Sequence, residues 1–280
     1  MNPNYRYKPL TYYAVVFLGT YLFWFIGAYL SYRDESGAYL LLLLLGLMTP
    51  FITSLVMILT SKNTALKKDF VDRLVNLKRI QPGTLPVFFL IMPAAILLAI
   101  VISLPFGGST DQFQIAEDFS FSVGAVPSLL LLLVAASLEE LGWRGYAFDS
   151  LLSRHTFFKA SILFSVLWAL WHFPLIFVKN TYQYEIFHQN IWYAVNFFAA
   201  ILPMGVVISW IWMKNNKSIL AAILFHLIVN LTNEMFNVTQ STKCIETAVV
   251  AVFAALIIWF DRELFFSKAH LMTKNREARS

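Results

Sequence analysis

Long apolar runs alternate with short polar ones along the whole chain. A run of about 20 apolar residues can cross the hydrocarbon core of a bilayer as a helix. Eight segments meet or approach that length: Thr11 to Leu30, Ala38 to Thr60, Leu85 to Leu104, Val126 to about Phe148, Lys159 to Val178, Ile191 to Met213, Ile219 to about Phe236, and Ile245 to Phe260. The fourth and seventh carry polar residues, and the eighth is short. The pattern predicts an all-α, polytopic integral membrane protein forming a single transmembrane domain over residues 1–280, with its polar motifs in a core over 126–236. Arg6 and Lys8 precede the first run, which lacks an Ala-x-Ala end and so reads as an uncleaved span rather than a signal peptide.

Composition supports the same class. The chain is 59% hydrophobic and 13% charged, whereas soluble domains are about 45–50% apolar and 25% charged. The net charge of +5 is carried in loops, where topology explains it and no nucleic-acid partner is implied. With the N-terminus placed in the cytoplasm, only Arg33, Lys179 and Lys243 of the 21 lysines and arginines fall on the outer side. That asymmetry predicts eight spans with both termini cytoplasmic. The acidic loop Pro105 to Ser122, with Asp111, Glu117 and Asp118, fits the outer side. Cys244 is the single cysteine, which excludes an internal disulfide and any multi-cysteine metal site. From Ala65 to Ile80, Leu66, Phe70, Leu74 and Leu77 share a helical face among basic residues. This predicts a helix in the cytoplasmic interface, with a solvated basic loop as the alternative.

Within the spans the polar side chains are few, and each needs a reason to be there. Glu139 and Glu140 follow the apolar run from Val126. In a continuous helix Glu140 pairs with Arg144 four residues on, while Glu139 points about 100° round the axis and has no partner in its own helix. Trp168 and His172 stand one turn apart, just before Pro174. His226, Asn230, Asn233 and Asn237 form a stripe at helical spacing, a pattern that also serves as glue between membrane helices. Counted at about 1.5 Å per residue from each expected cytoplasmic end, Glu139 lies roughly 13 Å deep, His172 roughly 20 Å, His226 roughly 10 Å and Asn230 roughly 16 Å. A carboxylate, two imidazoles and an amide in one slab can activate water and stabilise an oxyanion. The same residues leave zinc open as an alternative cofactor, since Glu139, His172 and His226 supply one oxygen and two nitrogens.

Glu-Glu-x-x-x-Arg at 139–144, aromatic-x-x-x-His at 168–172 and His-x-x-x-Asn at 226–230, in that order on separate spans, resemble the CAAX protease and bacteriocin-processing family. The spacing is closest to its type II CAAX prenyl endopeptidases, the Ras-converting enzymes. The motifs cover Leu138 to Asn230. The resemblance implies eight spanning helices around a conical cavity open to the cytosol, and an intramembrane endopeptidase that releases the C-terminal tripeptide from farnesylated or geranylgeranylated CAAX proteins. It makes Glu139 the catalytic carboxylate, His172 its partner in activating water, and His226 and Asn230 the oxyanion hole, without a metal cofactor. For Glu140 and Arg144 it leaves a structural ion pair, or docking of the substrate's terminal carboxylate by Arg144. Trp168 stands where the family usually has phenylalanine. The membrane is the cell membrane in a prokaryote and the endoplasmic reticulum in a eukaryote. Two other readings are a proton-coupled transporter with Glu139, His172 and His226 as a relay, and a bacteriocin-immunity or processing protease with a non-prenylated substrate.

Overall fold

The computed structural model describes residues 5–33, 37–116 and 128–267. Its helices are α1 (Pro9–Ser31), α2 (Tyr39–Thr60), α3 (Thr64–Val75), α4 (Leu85–Ser103), α5 (Ser128–Gly142), α6 (Phe148–Leu152), α7 (Phe157–Trp171), α8 (Tyr182–Gln189), α9 (Ile191–Lys214), α10 (Ile219–Met235), α11 (Gln240–Phe260) and α12 (Arg262–Phe266). A π-helical turn, Trp143–Ala147, joins α5 to α6. Among the described residues β pairing is confined to a bridge between Ile115 and Phe236. The start of the expected fourth span at Val126, the loop acids Glu117 and Asp118, and the tail after Ser267 lie outside the described residues.

Among the described residues six helical segments are long and apolar enough to cross a membrane, those built on α1, α2, α4, α7, α9 and α11. The expected count was eight. The regular part of the fourth segment, α5, has 15 residues and gives way to the π turn just after the two glutamates. The seventh, α10, has 17 residues between its Ser218 cap and Met235. Large apolar side chains on the outer faces stay exposed, as with Leu18 at 74% and Trp259 at 70%. Hydrocarbon, not water, is the solvent such faces match, and the protein is a multi-pass membrane protein.

Two sequence details bring the motif helix against its neighbours. Pro50 lies inside α2 and lacks an N–H, so the Gly46 carbonyl four residues back loses its helical donor. The Thr20 and Thr49 hydroxyls replace it, at 3.0 and 2.7 Å. Thr20 also accepts the Trp171 indole N–H at 2.8 Å, which ties α1, α2 and α7 at one point. Gly142, at the end of α5, sits directly on this kink. A Cβ there would fall 2.5 Å from the Pro50 backbone carbon, so the bare backbone permits the close approach of α5 to α2.

The amphipathic stretch after α2 does form a helix, but its apolar face packs on protein. Leu66 and Phe70 are buried in the core and Leu74 packs against it. Leu77 is exposed, because α3 ends at Val75 and a 3₁₀ turn carries Leu77 off that face. Arg73 turns inward and is fully buried. Its guanidinium donates to the Arg144 and Gly145 carbonyls, each at 3.2 Å, and to Asp149 Oδ2 at 2.7 Å. Lys217 reaches the other Asp149 oxygen at 2.6 Å from the turn before α10. Asn216 and Lys217 in that turn have positive φ values of 51° and 61°. Neighbouring Asn215 secures it by accepting the Gln81 N–H at 2.7 Å and the Thr84 hydroxyl at 3.0 Å. Asp149 thus fastens α3, the motif segment and the approach to α10 together.

Candidate active site

Adjacent residues on a helix point about 100° apart, and the two glutamates of α5 accordingly enter different surroundings. Glu139 is 7% exposed. Its Oε2 accepts the Trp168 indole N–H of α7 at 2.8 Å and the Trp143 indole N–H at 3.3 Å. The expectation that Glu139 has no partner in its own helix is therefore corrected. Trp143, four residues on at the first position of the π turn, folds back over it.

Glu140 is fully buried between two cationic or imidazole partners. Its Oε1 lies 3.1 Å from His226 Nδ1, and its Oε2 lies 3.6 Å from Arg144 Nε. Arg144 also donates to Ser209 Oγ at 3.4 Å, and its guanidinium rests over Phe164 at 4.3 Å and Phe148 at 5.3 Å. This is the structural ion pair expected from the i, i+4 spacing. Enclosure of Arg144 on all sides at 0% exposure leaves no approach for a substrate carboxylate, so the docking alternative does not fit this geometry.

α7 stops at Trp171, and His172 is its C-cap. Pro174 cannot continue the α-helical hydrogen bonding, and the chain continues as a 3₁₀ turn over Phe173–Phe177. The expected unbroken span to Val178 is thus helix plus turn. His172 is half-buried and its Nδ1 lies 2.8 Å from the Trp168 carbonyl oxygen. A carbonyl only accepts, so Nδ1 carries the hydrogen and Nε2 is the nitrogen free for chemistry. The same logic holds for His226, whose Nδ1 faces the Glu140 carboxylate. His226 is 5% exposed and its ring meets Trp168 edge-on, with centroids 5.4 Å apart.

The structure thus gathers Glu139, His172 and His226 around one side chain, Trp168. Asn230 is placed one helical turn beyond His226, half-buried, with no hydrogen bond to its amide among the described residues. Asn233 is spent on its own helix, donating to the Val229 carbonyl at 3.0 Å, and Asn237 lies past the end of α10. The stripe therefore contributes two residues rather than four. Sequence reasoning missed Trp143, although its spacing from Glu139 is that of a helical pair, and missed Ser209, which no pattern singles out. Among the described residues no three His, Cys, Asp or Glu side chains are grouped so as to hold a metal ion. That holds for Glu139, His172 and His226, the set considered for zinc.

Residues 121–232 match the family described as Type II CAAX prenyl endopeptidase Rce1-like. The chain is also 58% identical over 269 residues to a protein of Methanococcus maripaludis named CAAX prenyl protease 2, an alignment covering 96% of this chain and 99% of that protein. The chain belongs to the Rce1-like CAAX prenyl endopeptidases. Membership makes it a protease, and the matched region contains Glu139, His172, His226 and Asn230 together.

Proposed function

We propose that this protein cleaves prenylated CAAX proteins after the lipidated cysteine and releases the C-terminal tripeptide. The carrying observation is the full-length similarity to a CAAX prenyl protease in a chain whose buried Glu139 and two histidines share one aromatic centre. In this reading a water lies between Glu139 and His172 Nε2. Glu139 takes its proton as the oxygen attacks the carbonyl carbon of the modified cysteine. Negative charge on the former carbonyl oxygen is met by the Asn230 amide and by His226 as an imidazolium, its Nδ1–H on the Glu140 carboxylate and its Nε2–H on the oxyanion. The proton held by Glu139 then passes to the leaving amine, and the peptide bond breaks.

The reading includes eight spans with both termini in the cytoplasm, taking α5 with its π turn and α10 as crossing segments. A site at this depth lets a farnesyl or geranylgeranyl chain stay in the bilayer while the peptide enters from the cytosol. No metal takes part.

The test is purified protein incubated with a farnesylated CAAX peptide, beside Glu139→Gln and His172→Ala. Release of the tripeptide by the wild type, falling roughly 10²–10⁴-fold in each variant, is the expected result. Full activity in a folded Glu139→Gln protein overturns the assignment. Loss of activity on chelation, restored by added zinc, overturns its metal-free form.

A further inference from the structure

Trp168 touches each of the three ionisable groups used by the proposed chemistry. Its indole N–H donates to Glu139 Oε2 and its carbonyl oxygen accepts from His172 Nδ1, both at 2.8 Å. Its ring stands edge-on to His226. The side chain is fixed from behind by Phe164, stacked at 5.6 Å with 23° between the ring planes. Phe164 in turn lies under the Arg144 guanidinium. A ring so enclosed cannot swing its N–H away from Glu139 without displacing that stack.

The effect falls on the carboxylate. Oε2 receives two indole donors, from Trp168 and, at the longer distance of 3.3 Å, from Trp143. Indole nitrogen is a donor only, so neither ring can exchange a proton with Glu139 during turnover. With Oε2 held twice, Oε1 is the oxygen left to accept the proton of a water. Phenylalanine at 168 would keep the stack, the edge contact to His226 and the backbone carbonyl for His172. It would delete the shorter of the two donors.

We propose that Trp168 is a positioning residue for hydrolysis, its indole N–H joining that of Trp143 to lock the Glu139 carboxylate with Oε1 presented to water. The inference rests on Glu139 being the group that activates water. Because neither N–H reaches substrate, the loss is read in turnover and not in binding.

The experiment compares wild type, Trp168→Phe, Trp143→Phe and Glu139→Gln in one detergent with a farnesylated CAAX peptide. Infrared difference spectra identify the Glu139 carboxylate band by its absence in Glu139→Gln. For Trp168→Phe the expected result is a kcat lower by about 10- to 100-fold, the weight of one hydrogen bond to a charged group. KM stays within about twofold, the melting temperature is held, and the carboxylate band shifts. Trp143→Phe gives a smaller loss and a smaller shift. A wild-type kcat or an unmoved band in Trp168→Phe overturns the proposal. So does a joint change in KM and melting temperature, which marks Trp168 as packing only. Should Trp168→Phe not fold, Trp143→Phe tests the same oxygen, and an unchanged kcat and band there overturn the lock. Wild-type activity in Glu139→Gln sinks the parent reading. An inactive Glu139→Gln beside a fully active Trp168→Phe sinks this one alone.

Discussion

Glu140 Oε1 and His226 Nδ1 lie 3.1 Å apart and join α5 to α10 in a region closed to solvent. One helix position earlier, Glu139 is held by two indoles and touches neither Arg144 nor His226 through a hydrogen bond. The neighbouring carboxylates therefore have separate surroundings, Glu140 in an ion pair and Glu139 under two indoles, and in the proposed reaction only Glu139 meets the water. Removing Glu140 leaves the Arg144 charge buried without a counter-ion. Glu140→Ala is expected to lower stability by about 3–5 kcal/mol, whereas Glu139→Gln, which keeps an acceptor for both indoles, costs about 1 kcal/mol or less. Denaturant titration in detergent, followed by tryptophan fluorescence, separates the two.

Gly142 is required by proximity and not by backbone dihedrals. Gly142→Ala would place a methyl group 2.5 Å from the Pro50 carbonyl carbon and 2.8 Å from the Phe51 nitrogen. Overpacking of this kind costs about 1–3 kcal/mol, and a lowered melting temperature is expected. Gly83→Ala, where a Cβ meets nothing within 4 Å, is the matched control.

Thr20 accepts from Trp171 and donates to the carbonyl freed by Pro50. Thr20→Val keeps the shape but orphans a buried indole N–H, at a cost of about 1–3 kcal/mol. The same measurement on Thr20→Ser, which retains the hydroxyl, should show a smaller loss.

The Asp149 cluster gives a pH dependence. Burial resists ionisation of Asp149, but the charges of Lys217 and Arg73 outweigh it and hold its carboxyl below the usual carboxylate range. A lowered folded-state pKa contributes stability that is complete above the unfolded value of about 4 and is lost as pH falls through the folded value. Wild type should therefore melt progressively lower on acidification below about pH 4. Asp149→Asn should start lower and show less of that dependence, while a parallel pair of curves would refute the role.

Much of this was legible because hydrophobic length and polar exceptions are properties of sequence. The apolar runs place the helices, although α7 ends at Trp171 where Val178 was expected and α11 begins at Gln240 ahead of Ile245, and the motif residues Glu139, His172 and His226 each contact Trp168. What the pattern could not show was which apolar face meets protein and which meets lipid, since both surroundings accept leucine. Leu66 and Phe70, expected in the interface or in a solvated loop, therefore turn out to belong to the core. Nor does spacing reveal donors contributed across helices. In sequence Trp168 is only the aromatic residue one turn before His172, and its N–H reaches Glu139 through the packing of the folded chain.

The π turn sets the phase of everything after it. The Phe148 N–H returns to the Trp143 carbonyl five residues back, one more than in an α-helix, so the segment holds a surplus residue. Excising it, for instance by deleting Gly145, would let α5 run on in regular register. Each later side chain would then rotate by about 100°, and Asp149 would lose both Arg73 and Lys217. A single codon's worth of chain thus indexes the motif helix to the rest of the bundle.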